Sequence, residues 1–164
     1  MEKETAVTNT NTLIFIAKLN IFNLAKNRFR EIIITNEVKE ELFIKESNEN
    51  ALIRKEIESA NFLKEVKTKK IQSLMLENGE ESAISCCLEG DIQIFLSEDK
   101  KARVIAESLG LKVNGVLGII LWNLQNKNIN KEKAEDLLNK LKTYSYFFSA
   151  NLYAELINLI RNYK

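Results

Sequence analysis

The stretch from Gly79 to Ile120, GEESAISCCLEGDIQIFLSEDKKARVIAESLGLKVNGVLGII, sets acidic residues at two consecutive turns. Glu80 and Glu81 follow Asn78-Gly79, and Glu98 and Asp99 follow an apolar run. Carboxylates gathered at strand ends offer hard oxygen ligands, and the chemistry they suggest is that of a divalent cation such as Mg²⁺ or Mn²⁺. Two similar turns occur earlier: Asn9 ends the β-prone segment Thr5 to Thr8, and Glu37, Glu40 and Glu41 follow Ile32-Ile33-Ile34. Neighbouring carboxylates repel by about 4 kcal/mol per pair at ~4 Å with an effective dielectric of about 20, so such a cluster requires a cation or protons.

These side chains depend on the elements around them. Asp91 to Ser97 carries Ile92, Ile94, Phe95 and Leu96, the pattern of a strand covered on both faces, which is normally parallel and central. Ser97 is placed to cap a helix from Asp99 to Leu109, with Ala102, Val104, Ile105 and Leu109 as its apolar stripe. Asp99 then lies at the carboxyl end of a strand, the edge where open α/β sheets bind ligands. The helix dipole alone also favours an acid there, and the same holds for Glu80 at the start of the helix Glu80 to Leu88. After Asn9, the run from Leu13 to Leu24 reads as one largely buried helix. Ile32 to Ile34 reads as a strand core and Glu37 to Phe43 as a helix capped by Thr35 or Asn36. On that helix Val38 and Leu42 face the core, so Glu41 falls at the margin of the buried face, a position that suits a ligand reaching into a cleft.

Taken in order, VTNTNTLIFIAKLN, IIITNEVKEEL, GEESAI, FLSEDKKARVIAESLGLKV and NGVLGII resemble a PIN domain, of the compact archaeal and bacterial kind related to VapC-type toxins. The similarity runs from about Ala6 to Tyr153. It implies an α/β fold, a three-layer α/β/α sandwich with a central parallel sheet, and a metal-dependent ribonuclease with its acidic residues at the sheet's carboxyl edge. On this resemblance the four site positions fall on Asn9, Glu41, Glu80 and Asp99, with Glu41, Glu80 and Asp99 as ligands for Mg²⁺ or Mn²⁺. Ser82 occupies the third position in an alternative register, and Glu98 adjoins the fourth. The sequence departs from the family pattern at Asn9, where Asp is usual, and at Thr35, where Pro is common. Asn keeps a ligating oxygen but removes a charge, so cation affinity is expected to fall while geometry survives. Three readings follow: an endoribonuclease acting on RNA, as a toxin paired with a small antitoxin protein; a scaffold that binds RNA or a protein partner without cleavage; or a homo-oligomeric structural module, favoured by the apolar helix around Trp122 and the aromatic C-terminal region. Thr10, at the start of the first helix, is placed to bind phosphate through its hydroxyl and backbone N–H.

Composition removes competing classes. With no histidine the chain cannot run a Ser-His-Asp or Cys-His mechanism or build the usual histidine-containing zinc sites. Its five glycines form neither GxxxxGK[ST] nor GxGxxG, which argues against a P-loop or a dinucleotide site. Cys86 and Cys87 are adjacent and point about 100° apart on a helix, so they are expected to be buried structural thiols. No disulfide framework, leading apolar signal or apolar run of about 18 residues is present, and a cytoplasmic protein with no membrane span is expected. At 164 residues and 45% hydrophobic content, residues 1–164 are expected to form one domain.

The formal charge of +1 gives no general attraction for nucleic acid, so a local patch would have to supply it. Lys64, Lys67, Lys69 and Lys70 follow an expected helix from Leu52 to Leu63, and read either as a solvated connector or as a phosphate-tracking edge of the cleft. After an LKV strand at residues 111–113, Val116 to Leu124 forms an apolar helix whose Trp122 suits the core or a homodimer interface. From Asn130 onward, two amphipathic helices flank Tyr144, Tyr146, Phe147 and Phe148, which either pack or mark an interface.

Overall fold

Five short apolar segments pair into an all-parallel sheet: β1 (Glu4–Thr8), β2 (Phe29–Thr35), β3 (Leu63–Val66), β4 (Ile94–Leu96) and β5 (Lys112–Asn114), in the order β3-β2-β1-β4-β5. The structure, a computed structural model, describes residues 2–44, 46–59 and 62–164. β1 pairs with β2 through Ala6 opposite Ile32 and with β4 through Val7 opposite Phe95. Because side chains alternate across a strand, Ala6, Ile32, Ile34, Leu63, Ile94 and Leu96 enter one buried cluster and Val7, Ile33 and Phe95 the other. The first cluster is completed by α1 (Thr10–Lys18), α2 (Phe22–Arg28), α7 (Val116–Gln125), α8 (Lys131–Thr143) and α9 (Ala150–Asn162). The second is covered by α5 (Asn78–Glu89) and α6 (Lys100–Ser108). The result is the expected three-layer α/β/α arrangement, to which α3 (Asn36–Phe43) and α4 (Asn48–Glu58) add beside β2 and β3.

Three local readings of the sequence are corrected. The single helix expected from Leu13 to Leu24 is two, because Asn20 adopts φ 52° and the N–H groups of Asn20 and Ile21 bond back to the carbonyls of Ala17 and Ile16. That pair of bonds is the Schellman stop, and asparagine accepts its left-handed residue at little steric cost. The helix expected from Leu52 to Leu63 is α4 followed by the edge strand β3, whose Leu63 is buried opposite Ile32. Residues 60 and 61 of that expected helix lie outside the described residues. β3 is short and half polar, with Lys64 paired to Glu31 and Glu65 to Lys39 at 2.9 Å, the charged dress of a sheet edge. On α6 the cap is Asp99 in place of Ser97. Its inward residues are Ala102, Ile105 and Ala106, while Val104 and Leu109 are exposed.

The C-terminal aromatics divide in the same way. Tyr146 and Phe148 pack edgewise on Phe15 and Tyr153, with ring centroids 5.1 and 5.7 Å apart, whereas Phe147 is 87% exposed. Trp122 is half-buried on α7 beneath the Arg28 guanidinium, 5.5 Å from its ring centre. Cys86 and Cys87 are free and buried, and burial pushes both thiols up from their ordinary values. Among the described residues no helix is long and apolar enough to cross a membrane.

Asn123 is a hub that hydrophobic patterning does not show. Buried on α7, it donates to the carbonyls of Leu24 (3.0 Å) and Ile119 (2.8 Å) and accepts from the amides of Asn27 and Asn128. Asn123→Ala strands several of these groups and is expected to lower stability by about 2 kcal/mol, read from urea unfolding followed by circular dichroism. An unchanged midpoint would show that the hub contributes nothing.

Candidate functional site

The strand order reverses between β1 and β4, and in open α/β sheets the crevice at the carboxyl ends of such a strand pair is where ligands bind. Asn9 stands just past β1. Its backbone N–H donates to Leu96 at the end of β4 (3.0 Å), its Oδ1 accepts from Thr12 N–H to cap α1, and its Nδ2 donates to Ser97 Oγ (3.0 Å). Ser97 Oγ also accepts the N–H of Asp99 (3.1 Å), and Asp99 Oδ1 in turn accepts from Ala102 N–H (2.8 Å) to cap α6. Asn9 and Asp99 are therefore joined through one buried hydroxyl.

Glu41 reaches the same place from α3. One carboxylate oxygen accepts from Gly79 N–H (2.7 Å) and the other from the Thr10 hydroxyl. A Cβ on Gly79 would press into this carboxylate, 2.7 Å from its Cδ, so a side chain there would displace Glu41 from the start of α5. The Thr10 hydroxyl, expected to hold phosphate, is given to Glu41.

Glu80 sits in the first turn of α5 and reaches back to the N–H of Glu77, as in a capping box. Burial, followed by the charge of Asp99 and then those of Glu77 and Glu41, pushes its carboxyl up to about 7 against that N–H bond. Ser82, the alternative to Glu80, is fully buried under the helix, where it donates to Gly79 O and accepts from Thr35 at 2.6 Å. A cleft of about 530 Å³ is lined by Asn9, Thr10, Glu41, Glu77 and Glu80, among others. A second of about 300 Å³ adjoins it, with Glu80, Asp99, Lys101 and Met75 in its wall. Glu80 is common to both, so Asn9, Glu41 and Glu80 meet in one cleft and Asp99 faces Glu80 in the next.

Oxygen donors of this kind fit a hard divalent cation. In their present rotamers, no group of three or more His, Cys, Asp or Glu side chains among the described residues is placed to hold a metal ion. Glu41, turned onto Thr10 and Gly79, is one reason.

Glu98 has a different part. It accepts from Thr12 (3.2 Å), Val116 N–H (2.7 Å) and the Tyr146 hydroxyl (2.6 Å), which ties α1, α7 and the segment before α9 to the end of β4. Burial and the Glu98 charge hold the Tyr146 phenol well above its ordinary value. Glu77, not singled out in the sequence, lines both clefts; its one signal is an acid at a helix cap normally taken by Ser, Thr, Asp or Asn. Two lysines of the basic patch are held elsewhere: Lys64 is paired with Glu31, and the N–H of Lys69 bonds Glu89, at the opposite end of α5 from Glu80.

Fold and site together define a parallel α/β protein with an acidic crevice at its topological switch point. A family model described as PIN domain matches residues 5–162, and the chain belongs to that family. PIN domains are generally nucleases that use divalent metals and act on nucleic acids. Comparison with curated proteins finds no match.

The upward displacement of Glu80 has a measurable sign. Between its ordinary value of 4.5 and about 7 the folded chain holds a proton that the unfolded chain has released, so stability falls as pH rises through this window. Glu80 is only half-buried, and after solvent screening the effect is on the order of 1 kcal/mol. In metal-free buffer, Glu80→Gln is expected to melt higher than the parent at pH 8 and to match it at pH 4; identical shifts between those pH values in both proteins would contradict the assignment.

Proposed function

We propose that this protein is a Mg²⁺- or Mn²⁺-dependent endoribonuclease that hydrolyses RNA phosphodiester bonds at the crevice shared by Glu41, Glu80 and Asp99. The observation that carries the reading is the position of Glu80, which walls two adjoining clefts with Glu41 in one, Asp99 in the other and Glu77 in both. Like charges so arranged favour a cation or a proton, and the raised carboxyl of Glu80 is the protonated alternative. Glu41, Glu80 and Asp99 would hold the ion, with Asn9 supplying a neutral oxygen. When bound, a divalent ion supplies a nucleophilic water and charge stabilisation for in-line displacement.

The chain's own residues prepare that chemistry. Asp99 spends one oxygen on Ala102 and lines the cleft beside Glu80. Glu41 is held by Thr10 and Gly79 and would turn from them to reach the ion, and Lys101 places a positive charge in the wall beside Asp99, where a phosphate would be drawn in. The same reading takes residues 1–164 as one cytoplasmic domain, acting as a homodimer and as a toxin held by a small antitoxin protein. A second reading, a scaffold that binds RNA or a protein without cleavage, is favoured by Asn9, whose amide serves as a buried structural donor and brings no charge.

Purified protein is expected to cut single-stranded RNA with Mn²⁺ or Mg²⁺, to stop with EDTA, and to lose about a hundredfold or more in rate as Asp99→Asn. Cutting that survives both would refute the metal-nuclease reading. Asn9→Asp separates the two readings. The Ser97 hydroxyl is able to turn and donate to the new carboxylate while still accepting from Asp99 N–H, so the added charge is expected to tighten Mn²⁺ by roughly tenfold in calorimetric titration. No gain would count against Asn9 as the weak point.

A further inference from the structure

Residues 67–77 connect β3 to α5 as a strap laid along that helix. Thr68 donates to Ser82 O (3.4 Å), Gln72 N–H to Ser85 Oγ (2.8 Å), and the N–H groups of Leu74 and Leu76 to the same oxygen of Glu81 (2.7 and 3.2 Å). Those last two bonds bracket Met75. Its carbonyl is held by Lys101 Nζ at 2.6 Å and its backbone takes φ 59°, the left-handed region that a residue with a Cβ enters at a steric penalty. The side chain gains no packing in exchange: it is 83% exposed, in the wall of the cleft that also contains Glu80 and Asp99.

Strain and exposure fall on one residue whose flanks are firmly held, which is the pattern of a side chain presented to something. Its apolar neighbours Leu74 and Leu76 are partly buried against the cluster under α5 and α6. What remains outside is one thioether among Glu77, Glu80, Asp99 and Lys101, too small for a protein interface and matched to a single planar ring.

We propose that Met75 lies against a nucleobase of a single-stranded nucleic acid whose phosphate enters beside Lys101 and Asp99. The assignment rests on the nuclease reading of the cleft and adds to it the residue that holds the base. Its polarizable sulfur suits an aromatic face of any base, so it strengthens binding without choosing a sequence.

The test is fluorescence anisotropy with a short labelled single-stranded RNA and the matching abasic strand, in Ca²⁺ to slow cleavage. Met75→Ala and Met75→Gly are expected to weaken the RNA by about three- to tenfold and to leave the abasic strand unchanged. Met75→Gly should also melt higher than the parent, since glycine tolerates the left-handed backbone. Equal weakening on both strands would reduce Met75 to a loop-shaping residue, and unchanged RNA affinity in both variants would remove it from the site. Parent protein that binds neither strand overturns the proposal. Mn²⁺-dependent cleavage by the parent, run beside these titrations, tells the failures apart: with cleavage intact only the Met75 contact falls, and without it the nuclease reading falls too.

Discussion

The hydroxyl of Ser97 joins the two strands at which the sheet changes direction, and the crevice is built outward from it. It accepts from the Asn9 amide and from the Asp99 backbone, while the Asn9 backbone bonds the last residue of β4. Two helices are thereby started at fixed points, α1 from Asn9 and α6 from Asp99. An aspartate at position 9 would add charge but would lose the donor, and the amide gives the junction its direction at the expense of cation affinity. One residue thus serves both the geometry of the fold and the electrostatics of the cleft.

The acids are tolerated because the fold answers them in part. α1, α3, α5 and α6 all begin at the carboxyl edge of the sheet, so their positive ends face the crevice. Glu41 is further offset by a hydroxyl and a backbone N–H, and Asp99 by its cap. Glu80 has one N–H against three carboxylates, and its carboxyl is pushed up to about 7. Residual repulsion of this kind lowers stability in the metal-free chain and is a usual companion of sites shaped for a ligand.

The parts legible in the sequence are those governed by local rules. The buried run of β4, the acid opening α6 and the order of the turns gave the sheet's carboxyl edge and placed Asn9, Glu41, Glu80 and Asp99 near it. What could not be read depends on contacts distant in sequence or on a single backbone angle. Asn20 breaks a continuous apolar run by turning left-handed, and β3 is a strand only because β2 is beside it. Ser82 and Glu80 are indistinguishable in one dimension, yet one lies under α5 and the other in the cleft. Glu98 meets Tyr146 across 48 residues, and the Lys69 backbone bonds Glu89 at the far end of α5 from Glu80.

Metal chemistry here requires Glu41, Glu80 and Asp99 to close around one cation, and their present rotamers leave them gathered but not convergent. The most direct measurement is an anomalous difference map at the manganese edge from a crystal grown with Mn²⁺. A peak is expected in the crevice within about 2.0–2.3 Å of oxygens from Glu80 and Asp99, with Glu41 swung away from Gly79. A well-ordered crevice with no peak at saturating Mn²⁺, or a peak held only by residues elsewhere, would contradict it.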